Sequence, residues 1–276
     1  MGIAMSAVEP GIDLSICWQF GESTTPHVGL RRLASYGYEG IELWPDSLAA
    51  HPIGEWKDAL AETGLRIFQL CPYFNFMEGQ PKIDASRRIL DEHLTIARET
   101  GCKRIRVFTG PPWGDGVVFA KDATGQQWAD AIHGLTEFCD IASTDGVELC
   151  LECHEGSLME DSPNTLRLIG AVDRPNLTVN LQIPFYAETW EYSVEQLGRH
   201  TTHLHIHNWT KGFGEGDITF LDSGAFDWQP VIDTLVKKYK RHVTLSLEHI
   251  THASKDDPWE TAARDIHALT RIRMGL

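Results

Sequence analysis

Short β-branched or apolar runs alternate with longer amphipathic stretches from one end of the chain to the other. The runs predict strands at Ile12–Trp18, Glu39–Trp44, Leu65–Cys71, Lys103–Thr109, Val147–His154, Leu177–Gln182, Thr202–His207 and His242–Glu248. Helical patterns fall near 27–36, 52–63, 83–100, 126–144, 163–171, 191–199, 228–240 and 257–273. Gly37, Gly64, Gly101 and Gly146 each stand just before a strand, where a residue of positive φ ends a helix. Asp84 and Ser162 are the expected N-terminal caps. Eight βα units predict a parallel sheet with helices outside, either open or closed. The turn after the first strand, Gln19-Phe20-Gly21-Glu22-Ser23, lacks the Gly-rich phosphate-binding pattern of an open nucleotide-binding sheet. The count of eight and that missing turn favour an α/β chain folded as a (β/α)8 TIM barrel, one domain over residues 1–276.

Within the strands, polar residues keep step. Residues i and i+2 share a face of a strand. Cys150, Glu152 and His154 oppose Leu149 and Leu151, and Thr178, Asn180 and Gln182 oppose Leu177, Val179 and Leu181. His203, His205 and His207 oppose Leu204 and Ile206, while Thr244, Ser246 and Glu248 oppose Val243, Leu245 and Leu247. Glu42 opposes Ile41 and Leu43. Parallel strands covered on both faces are normally apolar on both, so five strands with one polar face need a reason. Carboxylates and imidazoles inside a barrel cost several kcal/mol each unless paired. A central cation would satisfy them together.

Glu152, His205 and Glu248 stand near the carboxyl ends of their strands, with Gln182 at the same level. Two carboxylates, an imidazole and an amide oxygen form a mixed O/N set suited to one divalent metal, Mn²⁺ by preference, with Mg²⁺, Co²⁺ or Zn²⁺ as alternatives. The alternative reading of Gln182 is a hydrogen-bonding partner behind the ligands. The loops after strands are the unusual ones: Gly110-Pro-Pro-Trp-Gly-Asp-Gly116, Ile183-Pro-Phe-Tyr186 and the stretch Asn208 to Asp227. That is the end of a barrel where active sites are built.

Composition narrows the partners. Lys and Arg total 24 against 39 Asp and Glu, a formal charge of −15, with no basic cluster. Nucleic acid and anionic membrane surfaces both need positive charge and are not expected as partners. The first ten residues lack a basic region followed by an apolar core, and no apolar run approaches the ~20 residues of a membrane span. Six cysteines in a chain of this size read as reduced thiols, so the expected location is the cytoplasm. Cys150 and Cys153 form a CxxC inside a strand, where they point to opposite faces, which argues against a redox or zinc pair. His27, His51, His93, His133 and His267 read as structural, and His203 as packing lower in the barrel. The tryptophans are pocket wall, core or subunit contact, which leaves room for a homo-oligomer.

The segments Gly37-Tyr-Glu-Gly-Ile-Glu-Leu43, Leu151-Glu152-Cys-His154, His203-Leu-His205-Ile-His-Asn208, Gly214-Glu-Gly-Asp217 and Val243-Thr-Leu-Ser-Leu-Glu248 occur in order along nearly the whole chain. Together they resemble the xylose-isomerase-like barrels, in the branch of sugar phosphate isomerases and epimerases. The resemblance implies one metal held by Glu, Asp, His and Glu. Glu152, His205 and Glu248 match, and Gln182 replaces the Asp, which removes one negative charge. Phe185 stands where many sugar epimerases place a substrate-contacting His. The implied activity is isomerisation or epimerisation of a small sugar or keto-polyol through an enediolate, with Glu152 and Glu248 as the acid/base pair. Expected substrate contacts are His154 and Lys211, then Glu42 and His207, with Trp44, Trp113 and Phe185 as walls, joined by Tyr186 and Trp209. Asp217 and Glu215 are either functional or simply solvated. The same site would serve a lyase acting on a keto-inositol or 3-keto-glycoside, and a sugar-binding barrel without chemistry is the non-enzymatic alternative. A related barrel that cuts DNA at abasic sites needs His at the ends of the second to fourth strands. Here those ends read Glu42-Leu-Trp44, Leu70-Cys-Pro72 and Phe108-Thr-Gly110.

Overall fold

All eight predicted strands form, each parallel to its neighbours. In the computed structural model, which describes residues 9–183, 188–254 and 257–276, the barrel strands are β1 (Gly11–Cys17), β2 (Gly40–Leu43), β3 (Arg66–Leu70), β4 (Arg104–Val107), β5 (Glu148–Glu152), β6 (Leu177–Leu181), β7 (Thr201–Ile206) and β10 (His242–Leu247). A small antiparallel hairpin, β8 (Asn208–Trp209) with β9 (Ile218–Thr219), rises from the loop after β7. The order β1-β10-β7-β6-β5-β4-β3-β2 closes on itself, giving a (β/α)8 barrel. The first and last strands pair from Gly11 with His242 to Ile16 with Leu247.

Periodicity explains which side of each strand faces the helices. Leu149, Leu151, Val179, Leu181, Leu204, Ile206, Val243, Leu245, Ile41 and Leu43 are all fully buried in the apolar core. The helix Gly125–Ser143 answers with Trp128, Ala131, Leu135, Phe138 and Ala142, a stripe at helical spacing. The opposite strand faces carry Ser15, Glu42, Gln69, Arg106, Glu152, Asn180, His203, His205 and Ser246, which are buried just as deeply. Sequence-predicted strands overrun at their carboxyl ends because Trp44, Thr109, His154, Gln182 and His207 leave the ladder and turn into the loops above it.

Two expected caps move. Asp161, not Ser162, accepts from Asn164 N (2.7 Å), and Ser162 is the first helical residue. The helix expected from Asp84 begins at Gln80 after Gly79, because Pro81 fits the first turn without an N–H to leave unpaired. The seventh helix is also not continuous. Gln229–Asp233 is α-helical and Thr234–Lys238 widens into a π turn. Among the described residues no helix is long and apolar enough to cross a membrane.

One close approach sets the site's floor. Gly40 lies beside a register shift between β2 and β3 at Ile41/Glu42, and a Cβ there would meet Arg66 O at 2.3 Å. Backbone cannot yield as a side chain can, so Gly40→Ala is expected to lower stability by about 1–3 kcal/mol. Urea unfolding checks it, and an unchanged midpoint would show that the strands separate at no cost.

Candidate functional site

The site is layered along the barrel axis. In its lowest layer, neutral His203 bridges two charges. Burial pushes its imidazole down to about 4, so Nε2–H donates to Glu42 Oε1 (2.7 Å) while Nδ1 lies 3.1 Å from an Arg104 guanidinium nitrogen. Burial works to raise the Glu42 carboxyl, but His203 and His205 hold it well below the usual carboxylate range. Its other oxygen takes Gln69 Nε2 (2.9 Å), His205 Nε2 (3.2 Å) and the Cys71 thiol (3.3 Å). Burial, reinforced by Glu42, drives Cys17 and Cys71 well above the usual thiol range, so both stay protonated. Glu42, expected from the sequence as a substrate contact, is therefore fully buried and occupied on both oxygens beneath the site.

The next layer is built on His205. With Nε2 turned down to Glu42, Nδ1 points up at three oxygens from three strands: Gln182 Oε1 at 3.2 Å, Glu248 Oε1 at 3.4 Å and Glu152 Oε1 at 3.6 Å. Burial alone would strip a proton from this ring, yet Glu248, Glu42 and Glu152 lift it to about 10. A proton thus occupies the point where positive charge is demanded. Gln182 Nε2 donates to Glu248 Oε2 (3.1 Å), which fixes the amide with its oxygen toward the centre. Four donors bonded to one ion at about 2.0–2.2 Å have edges of roughly 3.0–3.5 Å between them. The three separations from His205 Nδ1, 3.2 to 3.6 Å, lie at or just beyond that range, and the atoms of Glu152, His205 and Glu248 lie within 4.8 Å of one another. The residues fit a divalent cation.

Sequence reasoning missed Arg106. Its guanidinium is fully buried and donates to Glu152 Oε2 (3.1 Å), Cys71 O (2.8 Å) and Pro72 O (3.2 Å). Burial opposes its charge, but Glu152 keeps it protonated above the ordinary arginine range. The planar group lies 4.5 Å from the Tyr73 ring and 4.7 Å from Phe108, with Trp44 at 5.9 Å on the half-buried rim. The signal was present: Arg104 and Arg106 alternate with Ile105 and Val107, in phase with the other polar faces.

Above these layers stand the loops. His154 follows Glu152 on β5's inward side and packs edge-on against Phe108 (5.6 Å) and Trp113 (5.9 Å). Trp113 is 57% exposed, on the rim. Across the mouth, His207 is buried against Trp209 (4.8 Å) and His249 (4.7 Å). His249, also missed, sets Nε2 3.2 Å from Glu248 Oε2. Lys211 is exposed on the β8–β9 hairpin, whose Glu215 and Asp217 hold it together through backbone carbonyls. Phe185 and Tyr186 lie outside the described residues. Cys150 and Cys153 are separate buried thiols, as their strand phase predicts.

Residues 30–272 match the family described as the xylose isomerase-like TIM barrel. The chain belongs to that family. A curated relative, the 3-dehydroshikimate dehydratase of Bacillus anthracis, is 24% identical over 183 residues, 62% of this chain and 62% of the relative's length. The crystal structure of a probable 3-DHS dehydratase from Bacillus anthracis superposes with a TM-score of 0.75 at 20% identity, covering 94% of this chain and 98% of that one. A D-allulose 3-epimerase from Methylomonas sp. gives a TM-score of 0.77 at 15% identity, covering 97% and 100%.

Two predictions follow from the layering of this xylose isomerase-like barrel. Glu42 orients His205 from below, and loss of such a partner typically weakens metal binding about 10–100-fold. Glu42→Gln is expected to raise the dissociation constant of a divalent cation by that factor in calorimetry; an unchanged constant would remove Glu42 from the site. The second concerns Asp265, which anchors the stretch after β9 by accepting Leu221 N–H (3.0 Å), its carboxyl pushed up to about 7 by burial. A folded value above the unfolded one stabilises the protein at low pH, and that contribution disappears as pH rises through about 4 to 7. Asp265→Asn keeps an acceptor without the charge. Its urea midpoint should gain on wild type between about pH 4 and pH 8, and parallel pH profiles would contradict this.

Proposed function

We propose that this barrel moves a proton next to the carbonyl of a small polyhydroxylated substrate, as an isomerase or epimerase. The observation that carries the reading is the convergence of two carboxylates from different strands, Glu152 on β5 and Glu248 after β10, on one imidazole nitrogen. Mn²⁺ is the ion we assign to Glu152, Gln182, His205 and Glu248, since three oxygens and one nitrogen suit it. When bound, it supplies Lewis-acid stabilisation to the negative charge that grows on the substrate oxygen.

The chain's own groups do the rest. One glutamate takes the proton from the carbon beside the carbonyl, and the other returns a proton to the opposite face or to the neighbouring carbon. Arg106 holds Oε2 of Glu152 by a charge-assisted hydrogen bond, which leaves Oε1 facing the centre. His154 and Lys211 meet substrate hydroxyls, and Trp44 and Trp113 form the walls. Glu42 acts through His205. With Gln182 in place of an acid, the ligands carry two negative charges, which a divalent ion neutralises without excess.

A second reading, a lyase that expels a β-substituent after the same proton removal, is favoured by the dehydratase relative. Proton NMR in D₂O over a panel of ketoses and 3-dehydroshikimate separates the two. Deuterium entering beside the carbonyl without an unsaturated product supports the isomerase or epimerase, while an unsaturated product supports the lyase. Either activity should vanish on EDTA treatment and return with Mn²⁺. Glu152→Gln and Glu248→Gln should each lower kcat by about 10²–10⁴-fold, and full turnover in the double variant would sink both readings.

A further inference from the structure

Glu248 offers its two oxygens to two different groups. Oε1 faces His205 Nδ1, whereas Oε2 faces His249 Nε2 at 3.2 Å and takes the Gln182 amide. Beside His249 stands His207, their rings 4.7 Å apart and nearly perpendicular. One donor atom each from His207, Glu248 and His249 fits within 4.8 Å. We propose that these three residues form a second metal site, of zinc type, joined to the first through the Glu248 carboxylate.

Three observations support it. First, His207 is only 6% exposed, and among the described residues its buried Nδ1 has no hydrogen-bond partner. Buried imidazoles normally occupy their nitrogens with protein partners, and this one stands beside a carboxylate and a second imidazole without using it. Second, His249 holds a left-handed backbone, φ 55°, uncommon for a residue other than glycine. That turn brings its ring back over Glu248 instead of letting it follow the chain outward. The strain is held in place by His252, whose N–H closes on His249 O (2.9 Å) and whose ring packs edge-on at 5.1 Å. His207 is fixed in turn by Trp209 at 4.8 Å and by Trp228 Nε1, which donates to His207 O (2.8 Å). Third, the donor chemistry differs from that of the first site. Two imidazoles and one carboxylate, with a coordination position left open, form a zinc set, whereas three oxygens and one nitrogen suit a harder ion. The 3.2 Å separation of Glu248 Oε2 and His249 Nε2 is close to the edge of about 3.3–3.4 Å expected around zinc with bonds of about 2.0–2.1 Å.

This site goes beyond the proposed reaction, because its ligands stand whether or not the first centre turns over a sugar. Zinc alone is the probe. The full-length protein, stripped with chelator, saturated with Zn²⁺ and freed of excess, is weighed by native mass spectrometry, with circular dichroism confirming the fold of each variant. Wild type should carry two zinc ions per chain, and His249→Ala and His207→Ala one each. His205→Ala should also carry one, and the His205→Ala/His249→Ala double variant none. One zinc in the wild type overturns the proposal. So does a count of two in either His207→Ala or His249→Ala, which would place the second ion elsewhere, and so does loss of both ions from either folded variant. A failure of the proposed reaction appears instead as absent Mn²⁺-dependent exchange with an unaltered zinc count, so the two failures are distinguishable.

Discussion

Negative charge confined where water cannot reach it is the constraint around which this molecule is arranged. Glu42, Glu152 and Glu248 are all buried inside one barrel, and removing a partner from such a group costs about 3–5 kcal/mol. Arg106 answers one of them permanently. The charge left over is met in part when His205 takes a proton, and further when a divalent ion replaces that proton. The vertical order of the site follows from this balance. Fixed partners lie at the bottom, an exchangeable positive charge lies in the middle, and the open mouth lies above.

The layering also assigns a separate condition to each of the three imidazoles spaced two residues apart along β7 and just beyond it. His203, between Arg104 and Glu42, is neutral and purely structural. His205, two residues on, is surrounded by carboxylates and attracts positive charge. His207, two further, is pushed down to about 3 by burial and by the neighbouring His249. A rise of two residues along a strand is enough to change the electrostatic surroundings completely, because the partners come from different neighbouring strands at each level.

The fold and the inward placement of the candidate ligands were legible in the sequence because both are written in a period of two. Leu149 and Leu151 against Cys150 and Glu152 fix which way β5 faces, and the same reasoning places Glu42, Gln182, His205 and Glu248 inside. What each inward group touches is another matter, since partners lie far apart in sequence, as with Glu42 and His203, separated by 161 residues. Nothing local distinguishes Glu42, closed off beneath His205, from Glu248 at the mouth. Arg106 was missed because an arginine in a strand reads as exposed until its whole face is traced. His249 escaped because a single left-handed residue breaks the alternation. The β8–β9 hairpin was read as loop, its strands being only two residues each.

The pairing of β1 with β10 has a consequence for synthesis of the chain. Every ligand of the candidate centre lies in the second half of the sequence, and the cylinder has no seam only once its last strand has arrived. Until the ribosome has released residues beyond Leu247, β1 and β7 present bare parallel edges to the cell, the kind of surface on which other chains can add. The nascent protein therefore completes its enclosure and its cation cradle in the same final event.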